Sequence, residues 1–549
     1  MKDAKDRSFW TDPNAVHRRA MYKGAGYSDA DIKSKPHIGI ANSFMEGSPG
    51  TGHLRQLAEA VKQGIWEAGG LPVEFGIPAT CGNIANGIEE MKFELAARDV
   101  VAGSVEIVTE IHQFDGLVML SSCDNIIAGT YLAASRLDIP SLIVTGGSMM
   151  PGVYKGRKLL ACDVDVARFA ADASEMDAIE TCACPSFGAC ATMGTACTMQ
   201  LLGETLNLVL PGSSIVPGND HEKTRSAREA GRAIVEMVRE NRTPSRLITR
   251  ETLRNAIMVG MASGGSTNIV LHLLAMANEM DIELSLDDFE ELGREIPCIC
   301  RVKPNGPFNV VDLHQEGGAL ALMKRIEQKL DTTVETPLGG TWKDLLENVP
   351  VRVSEVLPEV KEGEGFPGLK VLYGSLAPKG AVLRPSSVPD EMKRFRGPAR
   401  VFENDADAFN AIEGGNIHPG DVMVVRYEGC KGSPGMKELM LSTDALVARG
   451  LHHSVGLVTD ARFSGFNHGS IVGHICPEAF DGGPIALVEE GDIIAVDTID
   501  GTIDLEISEE ELQRRAAEWK KPEPKIKRGF MSLYAATCRP ADEGGAMQL

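Results

Sequence analysis

The segment Ser121–Gly129, SSCDNIIAG, sets a soft sulfur ligand, Cys123, beside a hard oxygen ligand, Asp124. Thiolates suit zinc and iron–sulfur clusters and carboxylates suit Mg²⁺, so the pair could serve two metals, or one metal and one substrate contact. The plainer alternative is a buried free cysteine followed by an aspartate that caps a helix. A second group of thiols, Cys182, Cys184, Cys190 and Cys197, is concentrated in ETCACPSFGACATMGTACTMQ, which lacks the Cys-x-x-Cys pairs of a zinc knot. Cys190 precedes a helical run, and a helix N-terminus beside it would lower its pKa and ready it as a ligand. Cys298 and Cys300 sit among apolar residues and read as packing, while Cys162, Cys430, Cys476 and Cys538 show no pattern. Further on, YEGCKGSPGMKELM carries Glu428 and Glu438, and TDARFSGFNHGSIVGHICPEA carries Asp460, Arg462, Ser464, His468 and His474. Glycine beside Ser464 would let a substrate reach its hydroxyl. The segment is no Gly-x-Ser-x-Gly elbow, which argues against a serine hydrolase, and standing alone Ser464 reads as a turn serine.

These side chains need a scaffold that brings them together. GLVML, Gly116–Leu120, reads as a strand buried on both faces, and a helical pattern follows through Tyr131, Leu132 and Leu137. Cys123 and Asp124 are therefore expected just past the carboxyl end of a central strand, where loops diverge around a ligand crevice. Upstream, HIGIAN is a strand, and Leu54, Leu57, Ala58, Val61 and Ile65 mark a helix face that stops at Gly69-Gly70. VEFGIP is a strand leading into ATCGN with Cys81, the span Glu89–Ile111 is a helix, and SLIVTGG is the next strand. That alternation predicts a parallel sheet covered by helices. Ala191–Leu208, Glu222–Arg239 and Ile269–Met280 continue as helices. The loop Gly264–Thr267 before the last of them is either an anion cradle or an ordinary helix start.

Past the charged, turn-rich EVKEGEGFPG the texture changes to short β-type runs: LKVLYGS, AVLRPS, ARVFEN, DVMVVRYE, VGLVTDA, PIALVEE, DIIAVDT and TIDLEIS. The expected architecture is an α/β domain over residues 1–362 followed by a mostly β, barrel-like domain over residues 363–549. SEEELQRRAAEWK is a helix with a capping-box start.

A chain of 549 residues is too long for one core, and a formal charge of −22 without a basic cluster excludes nucleic acid and anionic membrane as partners. The opening MKDAKDRSFW has no apolar core region, and no later run reaches the length of a membrane span, so a cytoplasmic protein is expected. Twelve cysteines in a reducing compartment read as free thiols or metal ligands.

Taken together, PHIGIANS, HLRQLAEAVKQGIWEAGGLPVEF, SSCDN, GGSTN, GSLAPKGAV, RYEGCKGSPGMKE, TDARFSG, EEGDIIAVD and WKKPEPKIKRG occur in one order over nearly the whole chain. This series resembles the family of dihydroxy-acid dehydratase and phosphogluconate dehydratase. The resemblance implies an α/β domain joined to a β-barrel-like domain, assembled as a homodimer or homotetramer. It also implies a hydro-lyase of the branched-chain amino-acid biosynthesis type, which turns a 2,3-dihydroxy carboxylate into a 2-oxo acid with an iron–sulfur cluster beside Mg²⁺.

Residue by residue, Cys123 and Cys190 match cluster ligands. Cys81 falls in the segment where members of the 4Fe–4S type carry a cysteine, and Gly50 stands where other members have their third. The resemblance thus implies a 4Fe–4S cluster on Cys81, Cys123 and Cys190 with one open iron, in preference to a 2Fe–2S cluster. Asp124 and Glu438 match Mg²⁺ ligands, and Ser464 matches the proton acceptor. Gly82 and Asn125 replace an aspartate and a carbamylated lysine, which leaves the site less negative by about two charges and weakens Mg²⁺ without abolishing it. That loss suggests a substrate other than the usual branched-chain dihydroxy acid. A sugar-acid (aldonate) dehydratase on the same scaffold and a non-catalytic cluster-binding homologue are the alternatives.

Overall fold

The computed structural model describes residues 8–169, 171–360, 365–463 and 468–548. Its N-terminal part runs through β1 (His37–Asn42), α1 (Leu54–Glu67), β2 (Leu71–Gly76), α2 (Phe93–His112), β3 (Gly116–Ser121), α3 (Asp124–Leu137) and β4 (Ser141–Thr145). There follow α4 (Ala161–Ala167), α5 (Thr195–Thr205), α6 (His221–Arg239), α7 (Arg250–Ser263) and α8 (Ile269–Glu279). The four strands are all parallel in the order β2-β1-β3-β4, with Ile38 opposite Gly116 and Leu117 opposite Ser141.

Because successive side chains of a strand point to opposite faces, the apolar runs feed two cores. Ile38, Ile40, Val118, Leu120, Leu142 and Val144 pack with Leu57, Val61 and Ile65 of α1 and Ile234 and Val235 of α6. Ala41, Leu117, Met119 and Ile143 pack on the other side with Val101 and Val105 of α2 and Ile126, Ile127 and Tyr131 of α3. This double coverage is why the strands read as continuous apolar runs. α1 and α6 cross with their backbones in contact: a Cβ at Gly64 would overlap the Arg228 carbonyl, and one at Gly231 the Val61 carbonyl.

Two expected helices begin later than their patterns suggest. Glu89–Lys92 is a 3₁₀ turn and α2 starts at Phe93; Ala191 to Met193 stay outside α5, whose N-cap is the extended Gly194.

The C-terminal part comprises β5 (Lys370–Leu372), β6 (Ala381–Leu383), β7 (Arg394–Phe402), β8 (Val422–Val425), β9 (Glu438–Leu439), β10 (Gly456–Thr459), β11 (Arg462–Phe463), β12 (Ile471–Gly473), β13 (Ile493–Asp497), β14 (Thr502–Leu505) and α9 (Glu509–Glu518). Eight of these strands form a mixed sheet in the order β14-β13-β7-β8-β10-β12-β6-β5, parallel from β7 to β12 and antiparallel toward both edges. The edges nearly meet. Tyr373, just after β5, donates its N–H to Gly501 and accepts one from Ile503, both at 3.0 Å, so the sheet curls into the expected barrel-like form around Val422, Val424, Val458, Val472 and Ile494. PIALVEE is a 3₁₀ turn over Pro484–Leu487 rather than a strand, because Pro484 lacks the N–H a ladder needs. The division placed at 362/363 falls on residues 361–364, outside the described residues. Among the described residues no helix is long and apolar enough to cross a membrane.

Candidate active site

β3 lies inside the sheet, and its carboxyl end delivers Cys123 and Asp124 as expected: Cys123 is the extended N-cap residue of α3 and Asp124 opens the helix. The loop after β2 brings in Cys81, whose thiol neighbours that of Cys123. The Cys123 thiol beside it draws Cys81 below the ordinary thiol range, and the Cys81 thiol together with burial pushes Cys123 above it. The Ser48 hydroxyl stands 3.8 Å from the Cys123 sulfur, and that sulfur occupies the space a Cβ on Gly50 would take.

Cys190 comes from the loop before α5. It accepts a hydrogen bond from Thr192 Oγ1 at 3.4 Å and neighbours the thiol of Cys162 in α4. Its pKa falls to about 7, chiefly through that neighbouring thiol. The helix N-terminus invoked from sequence is not the cause, since α5 begins at Thr195.

Cys81, Cys123 and Cys190 line one cavity of about 310 Å³ together with Asp124 and Glu438. Cys162, Cys184 and Cys197 line it too. Cys184 belongs to a Cys-x-Cys pair visible in the sequence, whereas nothing in the spacing around Cys162 signals its place. Cys300 is buried packing, as read from its apolar context. Ser464 lies outside the described residues.

Glu438 reaches the cavity because β9 pairs in parallel with β11, which sets it opposite Arg462. The Arg462 guanidinium is fully buried: Nη1 meets Glu438 Oε2 at 3.3 Å, Nε donates to the Met436 carbonyl at 2.8 Å, and Nη2 has no partner among the described residues. Burial pushes the Glu438 carboxyl up to about 7, and Arg462 opposes that shift. Burial also raises Asp124, again against Arg462.

A third carboxylate stands near Asp124. Glu94, in the first turn of α2, is 4% exposed, and the Asn125 amide donates to its Oε2 at 3.5 Å. An ideal Cβ on Gly82 would lie 3.6 Å from Asp124 Oδ2 and 3.8 Å from Glu94 Oε2. Glu94, which the motifs did not single out, thus borders the space beside Gly82 together with Asp124.

The Gly264–Thr267 loop is an interhelical turn. Gly264, left-handed at φ 61°, ends α7, and the N–H groups of Gly264, Gly265 and Ser266 all find acceptors inside the protein. They are therefore not presented to an anion.

The donor set fits two kinds of inorganic group. Three soft thiols from separate loops face one cavity, two of them already in contact, and hard carboxylate oxygens adjoin them. Among the described residues no three His, Cys, Asp or Glu side chains already close on a single ion-sized point.

Residues 35–345 match the family described as Dihydroxy-acid/6-phosphogluconate dehydratase N-terminal, and residues 358–545 match its C-terminal counterpart. The chain is 44% identical over 537 residues to the dihydroxy-acid dehydratase of Methanococcus aeolicus, covering 96% of this chain and 97% of that protein. It is 42% identical to the dihydroxy-acid dehydratase of Caldanaerobacter subterraneus subsp. tengcongensis, covering 97% of each. Its identity to the one of Pyrococcus abyssi is 43%, covering 96% of this chain and 97% of that protein.

Proposed function

The chain belongs to the dihydroxy-acid/6-phosphogluconate dehydratase family, and on that footing we propose that this hydro-lyase removes water from a 2,3-dihydroxy carboxylic acid to give a 2-oxo acid, as in branched-chain amino-acid biosynthesis. The observation that carries the assignment of the site is the meeting of Cys81, Cys123 and Cys190, from three separate loops, around one cavity with Asp124 and Glu438. In this reading the three thiolates hold a 4Fe–4S cluster, and Asp124 and Glu438 hold Mg²⁺. When bound, the cluster supplies an iron with an open position as a Lewis acid for the departing 3-hydroxyl, and Mg²⁺ supplies positive charge beside the substrate carboxylate.

The remaining work falls to side chains. Ser464 Oγ takes the proton from C2. A serine hydroxyl is a weak base at its free pKa, so its alkoxide needs a fixed positive charge. Arg462, two residues earlier in the chain, is buried, and its Nη2, without a partner among the described residues, is placed to donate to an anionic oxygen. Glu438 holds that guanidinium in place through Nη1. Apolar wall residues such as Met149 and Met440 keep bulk water from the reacting carbons, which strengthens every charge interaction inside. The enol so formed tautomerises to the 2-oxo acid without further help.

We further propose a two-domain division near residue 362, cytoplasmic placement and a homodimeric or homotetrameric assembly. Against the departure from the usual substrate suggested by Gly82 and Asn125 stands Glu94, a carboxylate beside Asp124.

The test is anaerobic reconstitution followed by assay of 2-oxo acid formation from 2,3-dihydroxyisovalerate and from a panel of aldonates. Turnover of the dihydroxy acid with iron and sulfide bound supports the proposal. Turnover of aldonates alone moves the activity to the sugar acids, and bound zinc without sulfide removes the cluster from it.

A further inference from the structure

We propose that Glu94 is a third carboxylate of the divalent-cation site, reaching from α2 into the space left at Gly82. The inference rests on the reading of Asp124 and Glu438 as cation ligands and adds a residue to it.

Three observations carry it. The first is room. Asp124 Oδ2 and Glu94 Oε2 both flank the point where a side chain on Gly82 would begin, at 3.6 and 3.8 Å, so the two carboxylates border one shared space. The second is unused valence. Among the described residues Asp124 Oδ1 is buried without a hydrogen-bond partner, and so is the Oδ1 of fully buried Asn125, whose amide nitrogen contacts Glu94. Hard oxygen atoms that are buried and unsatisfied are costly unless a cation or donor completes them. The third is charge. Of Glu94, Asp124 and Glu438 only Glu438 has a Lys or Arg within ion-pair distance among the described residues, the 3.3 Å pair with Arg462. Two buried carboxylates therefore face each other with no ion-pair partner, and a divalent cation between them would compensate both.

Mg²⁺ and Mn²⁺ prefer such oxygen ligands and complete their shells with water and substrate, so the protein need not supply every ligand. The three carboxylates do not yet close on one point, and the cation draws them in by rotation of the Glu94 and Glu438 side chains. Asn125 keeps a structural part in this arrangement: its amide steadies Glu94 Oε2.

The experiment titrates Mn²⁺ into the full-length, cluster-loaded protein under anaerobic conditions. Free Mn²⁺ is read by electron paramagnetic resonance, and iron content serves as a control. Glu94→Gln keeps the shape and leaves Asn125 a partner but removes the charge. It is expected to weaken Mn²⁺ binding at least about tenfold with iron content unchanged, within the range for loss of a group supporting a metal site. Adding Gly82→Asp to Glu94→Gln restores a carboxylate on the other side of the gap and is expected to recover most of the affinity. Undiminished Mn²⁺ binding in Glu94→Gln, with Asp124→Asn weakened, overturns the role of Glu94 and leaves the cation site standing. Undiminished binding in Glu94→Gln, Asp124→Asn and Glu438→Gln alike overturns the cation site itself. Should Glu94→Gln lose its iron, Glu94→Asp takes its place: weakened Mn²⁺ binding with the cluster intact supports the proposal, and unchanged binding overturns it.

Discussion

The sulfur of Cys123 fills the space that a side chain on Gly50 would need. The same sulfur is buried and neighbours the Cys81 thiol, so it has little freedom to retreat. Gly50→Ala is therefore expected to push Cys123 out of line with its partner. Overpacking of this kind costs about 1–3 kcal/mol, small enough for the chain to fold. Iron and sulfide per chain should fall to a minor fraction of wild type while circular dichroism is retained. Full iron loading in Gly50→Ala would show that Cys123 is not held where a cluster needs it.

Cys162 touches Cys190, and both line the cavity, so either could in principle hold iron. The assignment of Cys190 makes a sharp distinction. Cys190→Ser should abolish cluster loading, whereas Cys162→Ser should keep most of the iron, because a serine hydroxyl can still donate to the Cys190 sulfur. The reverse pattern in anaerobic iron analysis would transfer the ligand role to Cys162.

Removal of the proposed proton acceptor should act on rate alone. Ser464→Ala is expected to lower kcat by about 10²–10⁴, the usual span for loss of a general base, with iron content and KM near wild type. Arg462→Met should lower kcat as well. It should also tighten the cation site, because it frees the Glu438 carboxylate from the positive partner at 3.3 Å. Steady-state kinetics on reconstituted protein separates the two: a Ser464→Ala enzyme with wild-type kcat would remove Ser464 from the chemistry.

How far these parts could be foreseen depended on what each residue's neighbours in sequence reveal. HIGIAN, GLVML and SLIVT are unbroken apolar runs with helical patterns between them, and a parallel sheet is the arrangement that buries both faces of such strands. The place of Cys123 and Asp124 at the end of β3 followed from that sheet alone. The company of Cys81 and Cys190 did not: they lie on loops far apart in the chain, and family resemblance rather than spacing brought them forward. Glu94 was hidden for a different reason. A glutamate in the first turn of a helix is what the helix dipole favours anyway, so its type and position carry no separate signal. Cys162 was hidden among ordinary helix residues. PIALVEE misled because its apolar residues suit a strand, and a single proline at its start decides otherwise.

Lys223 offers a test of the scaffold under the site that is independent of any metal. Its side chain in α6 is 1% exposed, and Nζ donates to Thr145 Oγ1 at the end of β4 at 2.9 Å and to the Ser213 carbonyl at 2.6 Å. Burial lowers its pKa to about 7, with Glu204 opposing the shift. The sign of the effect on stability follows directly. Between pH 7 and about 10.5 the unfolded chain holds a proton that the folded chain has released, so stability rises with pH across that window. Below pH 7 both states are protonated, and the cost of the buried charge is fully present. The span amounts to on the order of 3–5 kcal/mol. Lys223→Met loses the two hydrogen bonds, a cost that does not vary with pH once the lysine is gone, and it loses the slope. Denaturant unfolding of cluster-free protein at pH 7 and pH 9.5 should therefore show the wild type gaining on the variant by several kcal/mol as pH rises. A difference independent of pH would mean that Lys223 keeps an ordinary pKa, its charge compensated inside the fold by Glu204 or by water.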